Sequence, residues 1–220
     1  MRKFNTAIFD LDGTMMDTIE DLRTAIIYAL RLDESKVKRE HVLKSINFGA
    51  RHFVEGVAEQ FCTGDVDVDE ALERFGEKYG ECYADKTEPF EGMIPLLKKL
   101  KALGYKTAVF SNKTHSFVDH LCKVKIPEGL VDIARGEIEG IPAKPNPDGA
   151  YRILDILGAK KEEVAYVGDS DVDTATAKNC GFYCIGVSWG YREPELLLET
   201  GADVIAHSAD ELYELITQEK

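Results

Sequence analysis

The chain has 220 residues, 44% of them hydrophobic and 30% charged, enough for a sizeable core in one or two domains. Forty acidic against 27 basic residues leave a formal net charge of −13, which argues against a nucleic-acid or anionic-membrane partner. No apolar run approaches the roughly 20 residues of a membrane span, and aspartates interrupt "MRKFNTAIFDLDG" before a signal-peptide core develops, so a cytoplasmic protein is expected.

The first predicted strand is Phe4–Phe9, an apolar run that ends in two aspartates, Asp10 and Asp12, and a Gly-Thr turn. From about Asp17 to Asp85 only helical periodicity follows. Thr18–Leu32 carries Ile19, Leu22, Ile26 and Leu30 on one stripe, with Asp17 or Thr18 as N-cap, and "ARHFVEGVAEQFC" and "DEALERFGEKYGECYAD" continue in that style. The segment closes at "KTEPFEG" (Lys86–Gly92). An all-helical insertion of this length predicts a separate cap domain over 17–87, inserted into a discontinuous core domain of 1–16 and 88–220.

The spacing of Ile94, Leu96, Leu97, Leu100 and Leu103 then predicts a helix over Gly92–Leu103. A second is expected over Asp148–Gly158, capped by Asp148 and stopped by Gly158. Between and after them come strands at Lys106–Phe110, Val131–Ala134, Val164–Gly168, Phe182–Val187 and Asp203–Ala206. These runs lack polar alternation, as strands covered on both faces do. Strand and helix in repetition predict an α/β fold with a Rossmann-like parallel sheet. The five cysteines, Cys62, Cys82, Cys122, Cys180 and Cys184, form no CxxC pair and read as free thiols in a reducing compartment; the scattered histidines predict no zinc site.

In a doubly wound sheet, chemistry collects beyond the carboxyl ends of the strands. There the sequence sets Asp10 and Asp12, then Ser111 and Asn112, then Lys144 in "AKPNP", and finally "DSDVD", Asp169 to Asp173. Each piece has a plainer reading: a turn or cap for the aspartates and Ser111–Asn112, a solvated lysine for Lys144, an acidic helix start for Asp169–Asp173. A calcium loop lacks its trailing glutamate. Together the pieces point to one rim of carboxylates around a hard cation, for which oxygen ligands select Mg²⁺. A phosphate dianion can approach such a site, with Lys144, Ser111 and Asn112 meeting its oxygens. Residues i and i+2 of an extended segment share a side, so of Asp10 and Asp12 one can attack phosphorus while the other handles the proton.

The chain resembles the haloacid dehalogenase superfamily of phosphotransferases. "DLDGT" (Asp10–Thr14) is similar to its first motif, Ser111 in "FSNK" to its second, Lys144 in "KPNP" to its third, and "GDSDVD" (Gly168–Asp173) to its fourth. The helical insertion resembles the family's cap of the first type. The resemblance implies Asp10 as nucleophile and Asp12 as acid/base. It implies Mg²⁺ on the Asp10 side chain, the Asp12 main-chain carbonyl and the Asp169 side chain with Asp173 in support, and phosphoryl binding by Ser111, Asn112 and Lys144. Asp12 argues against a true dehalogenase. "INFGARHFVEGV" and the tail Gly186–Leu212 are similar to phosphoglycolate phosphatase-like members. That likeness implies Gly49 as a point of close approach and Arg51, or less strongly His52, as a substrate contact. Phe48 departs from the double glycine common there.

The leading expectation is a Mg²⁺-dependent phosphatase, monomeric or homodimeric, acting on a small phosphorylated metabolite. A β-phosphoglucomutase-like mutase is a competing one, although its relatives carry a cap histidine and none occurs here before His41. A pyrophosphatase is another. A non-catalytic module belongs to a different class: phospho-signalling domains are shorter, phosphorylated on a middle strand and without a cap, and the presence of both Asp10 and Asp12 speaks against an inactive interaction protein.

Overall fold

The computed structural model describes residues 3–46 and 49–219. In chain order the elements begin with β1 (Thr6–Phe9), β2 (Met16–Asp17), α1 (Ile19–Ala29), α2 (Arg39–Leu43), α3 (Ala50–Phe61), α4 (Val68–Cys82) and β3 (Glu88–Pro89). They continue with α5 (Met93–Ala102), β4 (Lys106–Thr114), α6 (His115–Lys125), β5 (Ile133–Glu137) and α7 (Asp148–Leu157). Last come β6 (Val164–Gly168), α8 (Asp171–Cys180), β7 (Tyr183–Val187), α9 (Pro194–Thr200), β8 (Val204–Ala206) and α10 (Ala209–Thr217). They fall into two compact units, one of Asp17–Glu88 and one of the residues up to Met16 together with those from Pro89 onward. Among the described residues no helix is long and apolar enough to cross a membrane.

The α/β unit is built on a six-stranded sheet in the order β5-β4-β1-β6-β7-β8, every pairing parallel. The chain steps outward through β4 and β5, then returns to the other side of β1 for β6, β7 and β8. The order therefore reverses at β1, and ligand sites of doubly wound sheets lie beyond the carboxyl end of such a strand. β1 and β6 are buried at every position, as strands sandwiched between helices must be. Ile8, Ala108, Phe110, Val164 and Tyr166 of the sheet pack with Ala150, Ile153 and Leu154 of α7, Ala177 and Cys180 of α8, and Leu197 of α9 in one core cluster.

Three expectations need correction here. The strand expected over Val131–Ala134 begins at Ile133 and runs to Glu137. β4 does not end at Phe110 but runs to Thr114, with a register shift against β5 between Phe110 and Thr114. The polar Ser-Asn-Lys-Thr run concealed this extension. α7 takes Pro147, not Asp148, as its N-cap residue, and the Asn146 side chain accepts from the Asp148 N–H at 2.9 Å. Gly158 does end α7, in the left-handed conformation (φ 58°, ψ 42°).

The helical unit packs α1 against α4 and α4 against α3. Ile19, Leu22, Ala25, Ile26 and Ala29 form the buried face of α1, and Phe75 meets Phe53 edge to face and stacks on Tyr79, both at 5.5 Å centroid separations. Asp21, 1% exposed, faces the returning chain: it accepts from the N–H groups of Lys86 and Thr87 and from the Thr87 hydroxyl, at 2.8–3.0 Å. β2 and β3 are two residues each and pair as a separate small sheet, too short to leave a sequence signal. All five cysteines are free thiols, and burial pushes Cys122 and Cys180 up to about 12.

Candidate active site

Strand register brings the predicted residues together. Phe9 lies level with Val109 on one side and Val167 on the other, so Asp10, Ser111 and Asp169 all emerge within two residues of one level of the sheet. Ligand oxygens of Asp10, Asp169 and Asp173 lie within 4.8 Å of one another, and all three residues are buried. Lys144 is set among them. Its ammonium donates to Asp10 Oδ1 at 2.6 Å and Asp173 Oδ1 at 2.7 Å, with the side chain only 4% exposed. Tyr166 Oη lies 3.4 Å from the same nitrogen.

Each acidic group is held differently. Asp173 accepts from Lys144, from the Tyr166 hydroxyl at 2.9 Å and from the Ser170 hydroxyl and N–H at 2.5 and 3.2 Å, so both oxygens are engaged by the protein. It supports Lys144 and the start of α8, where Ser170 and Asp173 form a capping box. Asp169 accepts from Thr14 Oγ1 at 2.8 Å and from the Tyr191 N–H at 2.8 Å. Two glycines make room for it: a Cβ on Gly190 would stand 2.1 Å from Asp169 Cβ, and one on Gly13 (φ 87°) would stand 2.3 Å from Asp169 Oδ2.

Burial, reinforced by Asp173, raises Asp169 to about 7. Asp10 is also raised well above the carboxylate range, again chiefly by burial, with Lys144 pulling the other way and Asp173, Asp169 and Asp12 adding repulsion. Burial works against the Lys144 charge too, but Asp10 and Asp173 outweigh it and keep the ammonium protonated. Carboxylates confined this closely gain most from a hard cation, and Asp10, Asp169 and Asp173 each offer an oxygen within reach of one ion. An oxygen-only donor set of this kind fits Mg²⁺ rather than zinc or a soft metal.

The remaining predicted residues take more specific positions. Asn112 does not present its amide to the rim. Its Oδ1 accepts from the Lys144 N–H at 2.8 Å and its Nδ2 donates to the Lys144 carbonyl at 3.0 Å, so the side chain is spent on the backbone of the lysine loop. Ser111 is 2% exposed, and its Oγ accepts from the Lys113 N–H at 3.2 Å. The Asp12 carboxylate stands outside the three-carboxylate cluster and meets Lys113 Nζ at 2.6 Å. Gly49 precedes α3 with φ 87° and would admit a Cβ without contact. Arg51 is bonded through its guanidinium to Asp69 and lies 3.9 Å from Glu55, its side chain 54% exposed, the alternative to a substrate contact. Phe48 lies outside the described residues.

Four contributors escaped the sequence reading: Thr14, Tyr166, Lys113 and the Gly190–Tyr191 turn. Thr14 and Lys113 stood inside the quoted motifs, whereas Tyr191 acts through its backbone and left no side-chain signal.

Comparison with known proteins gives a consistent result. Residues 7–187 match the family model described as haloacid dehalogenase-like hydrolase. A phosphoglycolate phosphatase of Vibrio parahaemolyticus is 30% identical over 216 residues, covering 94% of each chain. A crystal structure of a candidate phosphoglycolate phosphatase from Lactobacillus delbrueckii subsp. bulgaricus superposes with a TM-score of 0.89 at 33% identity, covering 100% of both chains. A pyrophosphatase PpaX of Bacillus cereus is 25% identical over 217 residues, covering 94% of this chain and 98% of that one.

Proposed function

The chain belongs to the haloacid dehalogenase-like hydrolase family and is a phosphatase of it, and we propose that it hydrolyses a small phosphomonoester, with 2-phosphoglycolate the first candidate, through an aspartyl-phosphate on Asp10. The observation that carries this is the Lys144 ammonium held between Asp10 and Asp173, with Asp169 beside them. Buried charge of this density is retained where it has chemistry to perform.

In the first step an Asp10 oxygen attacks phosphorus. The bond to the leaving oxygen breaks, and Asp12 gives that oxygen its proton. Lys144 neutralises phosphoryl oxygen charge, and the Ser111 hydroxyl with main-chain N–H groups beyond the end of β1 donates to the remaining oxygens. In the second step water attacks the phosphorus of the aspartyl-phosphate, Asp12 takes the water's proton, and Asp10 is released with inorganic phosphate. Mg²⁺, held by Asp10, the Asp12 carbonyl and Asp169, would offset the negative charge of substrate and carboxylates. Asp173 keeps Lys144 in place, and Asn112 fixes the loop that carries it.

The helical unit serves in this reading as the cap that selects the substrate. Arg51 would contribute only by exchanging Asp69 for a substrate carboxylate. The free thiols suit a reducing, cytoplasmic setting. A second reading, pyrophosphate hydrolysis by the same residues, is favoured by the relatives described as PpaX. The test is kcat/KM for 2-phosphoglycolate, sugar phosphates, nucleotides and pyrophosphate with Mg²⁺ present, together with Asp10→Asn. We expect one phosphomonoester to dominate and Asp10→Asn to lose at least about a thousandfold in kcat while remaining folded. No turnover of any of these compounds, or near-normal activity in the variant, refutes the assignment.

A further inference from the structure

Lys113 is a cation with a largely buried side chain beside the rim that the reaction above does not use. It follows Ser111 and Asn112 on the bulged end of β4, its side chain 7% exposed, and its ammonium lies 2.6 Å from Asp12 Oδ1, itself 13% exposed. Burying a lysine costs several kcal/mol unless a partner compensates. Surface lysines are common and replaceable, but a lysine enclosed on a catalytic strand against a candidate proton donor is not a solubility feature.

We propose that Lys113 is a positioning residue for Asp12: it fixes the rotamer of the carboxyl and stabilises the charge left there as the proton departs to the leaving oxygen. The inference rests on the reading of Asp12 as the acid/base. Two facts of geometry carry it. A salt bridge to one named oxygen leaves the carboxyl a single orientation, which a lone carboxyl on a loop would not keep. Lys113 also lies on β4 itself, two residues past Ser111 in the stretch where the register against β5 shifts, so its ammonium is delivered from a strand rather than from a free loop. The proton balance is unchanged: Asp12 gives one proton to the leaving oxygen in the first step and regains one from water in the second, while Lys113 stays protonated throughout.

The prediction concerns the leaving group. A p-nitrophenolate departs readily without a proton, whereas an alkoxide does not. General acid catalysis contributes about 10²- to 10⁴-fold where it is needed. The full-length protein with Mg²⁺ and the variants Lys113→Met, Lys113→Arg and Asp12→Asn are assayed as kcat/KM on aryl phosphates of rising leaving-group pKa and on one alkyl phosphate. For Lys113→Met we expect a loss below about tenfold on p-nitrophenyl phosphate and above about 100-fold on the alkyl ester, with Lys113→Arg recovering most of the difference. A loss that is uniform across leaving groups overturns the proposal and marks Lys113 as a phosphate-binding or purely structural residue. If Lys113→Met does not fold, Lys113→Gln, which keeps a polar donor but no charge, must show the same leaving-group slope. Asp12→Asn separates the two levels. Should it show the slope while the Lys113 variants do not, only the positioning role fails; should it show none, the acid/base reading falls and this inference with it.

Discussion

Replacing Lys144 with methionine tests whether the charge balance of the site is as tight as the distances imply. The ammonium stands 2.6 Å from Asp10 Oδ1 and 2.7 Å from Asp173 Oδ1. At an effective dielectric of about 20 each such pair amounts to roughly 6 kcal/mol of attraction before desolvation is subtracted. Breaking a buried pair by removing one partner costs about 3–5 kcal/mol net. For a chain of this size that corresponds to a fall in Tm of about 6–20 °C, at 2–4 °C per kcal/mol. Protonation of the stranded carboxylates relieves the loss, so the fall should be larger near pH 8 than near pH 5.5. The measurement is thermal and urea unfolding in EDTA at both pH values. Asp173→Asn placed in the methionine background should recover part of the loss, since one stranded charge is gone. A Tm change under about 2 °C near pH 8, or a greater loss at the lower pH, would refute the argument.

Three further outcomes are expected. Asp169 is raised to about 7, so between about pH 4 and 7 the folded metal-free protein holds a proton that the unfolded chain has released. Stability in EDTA should therefore decline as pH rises through that window, and added MgCl₂ should raise Tm more at pH 8 than at pH 5.5; an equal shift at both values would contradict it. Asp21→Asn removes the charge that the Lys86 and Thr87 N–H groups donate to, costing about 2 kcal/mol and loosening those amides in hydrogen exchange, while amides of the six-stranded sheet keep their protection. Gly190→Ala places a methyl where Asp169 stands, so activity should fall at least about 100-fold with overpacking of about 1–3 kcal/mol; normal activity would show that the turn yields freely.

The sheet was legible because its strands are unbroken apolar runs: Val164–Gly168 coincides with β6 residue for residue. The core motifs were legible because carboxylates and a lysine have few other reasons to recur at strand ends. What escaped did so for physical causes. The last residues of β4, Ser111–Thr114, are polar and, beyond Ser111, less buried than its centre, so hydropathy ended the strand at Phe110. Asn112 was expected at the phosphate from its place at a strand end and from the resemblance, and nothing in the sequence shows that both ends of its amide hold the Lys144 backbone. Tyr191 contributes an N–H, which every residue but proline possesses. Arg51 had Glu55 within helical reach, and only the packing of α3 with α4 brought Asp69 to it.

The strand order has a consequence for how the protein comes into being. Asp10 belongs to the first strand and is translated early, but Thr14 and its partner Asp169 are 155 positions apart, and β1 must await β6 on one flank. A nascent chain therefore carries Asp10 through most of synthesis without the Asp169 and Asp173 carboxylates that complete its cluster. A product that ends before β6 lacks Asp169 and Asp173 altogether, so it should show no activity.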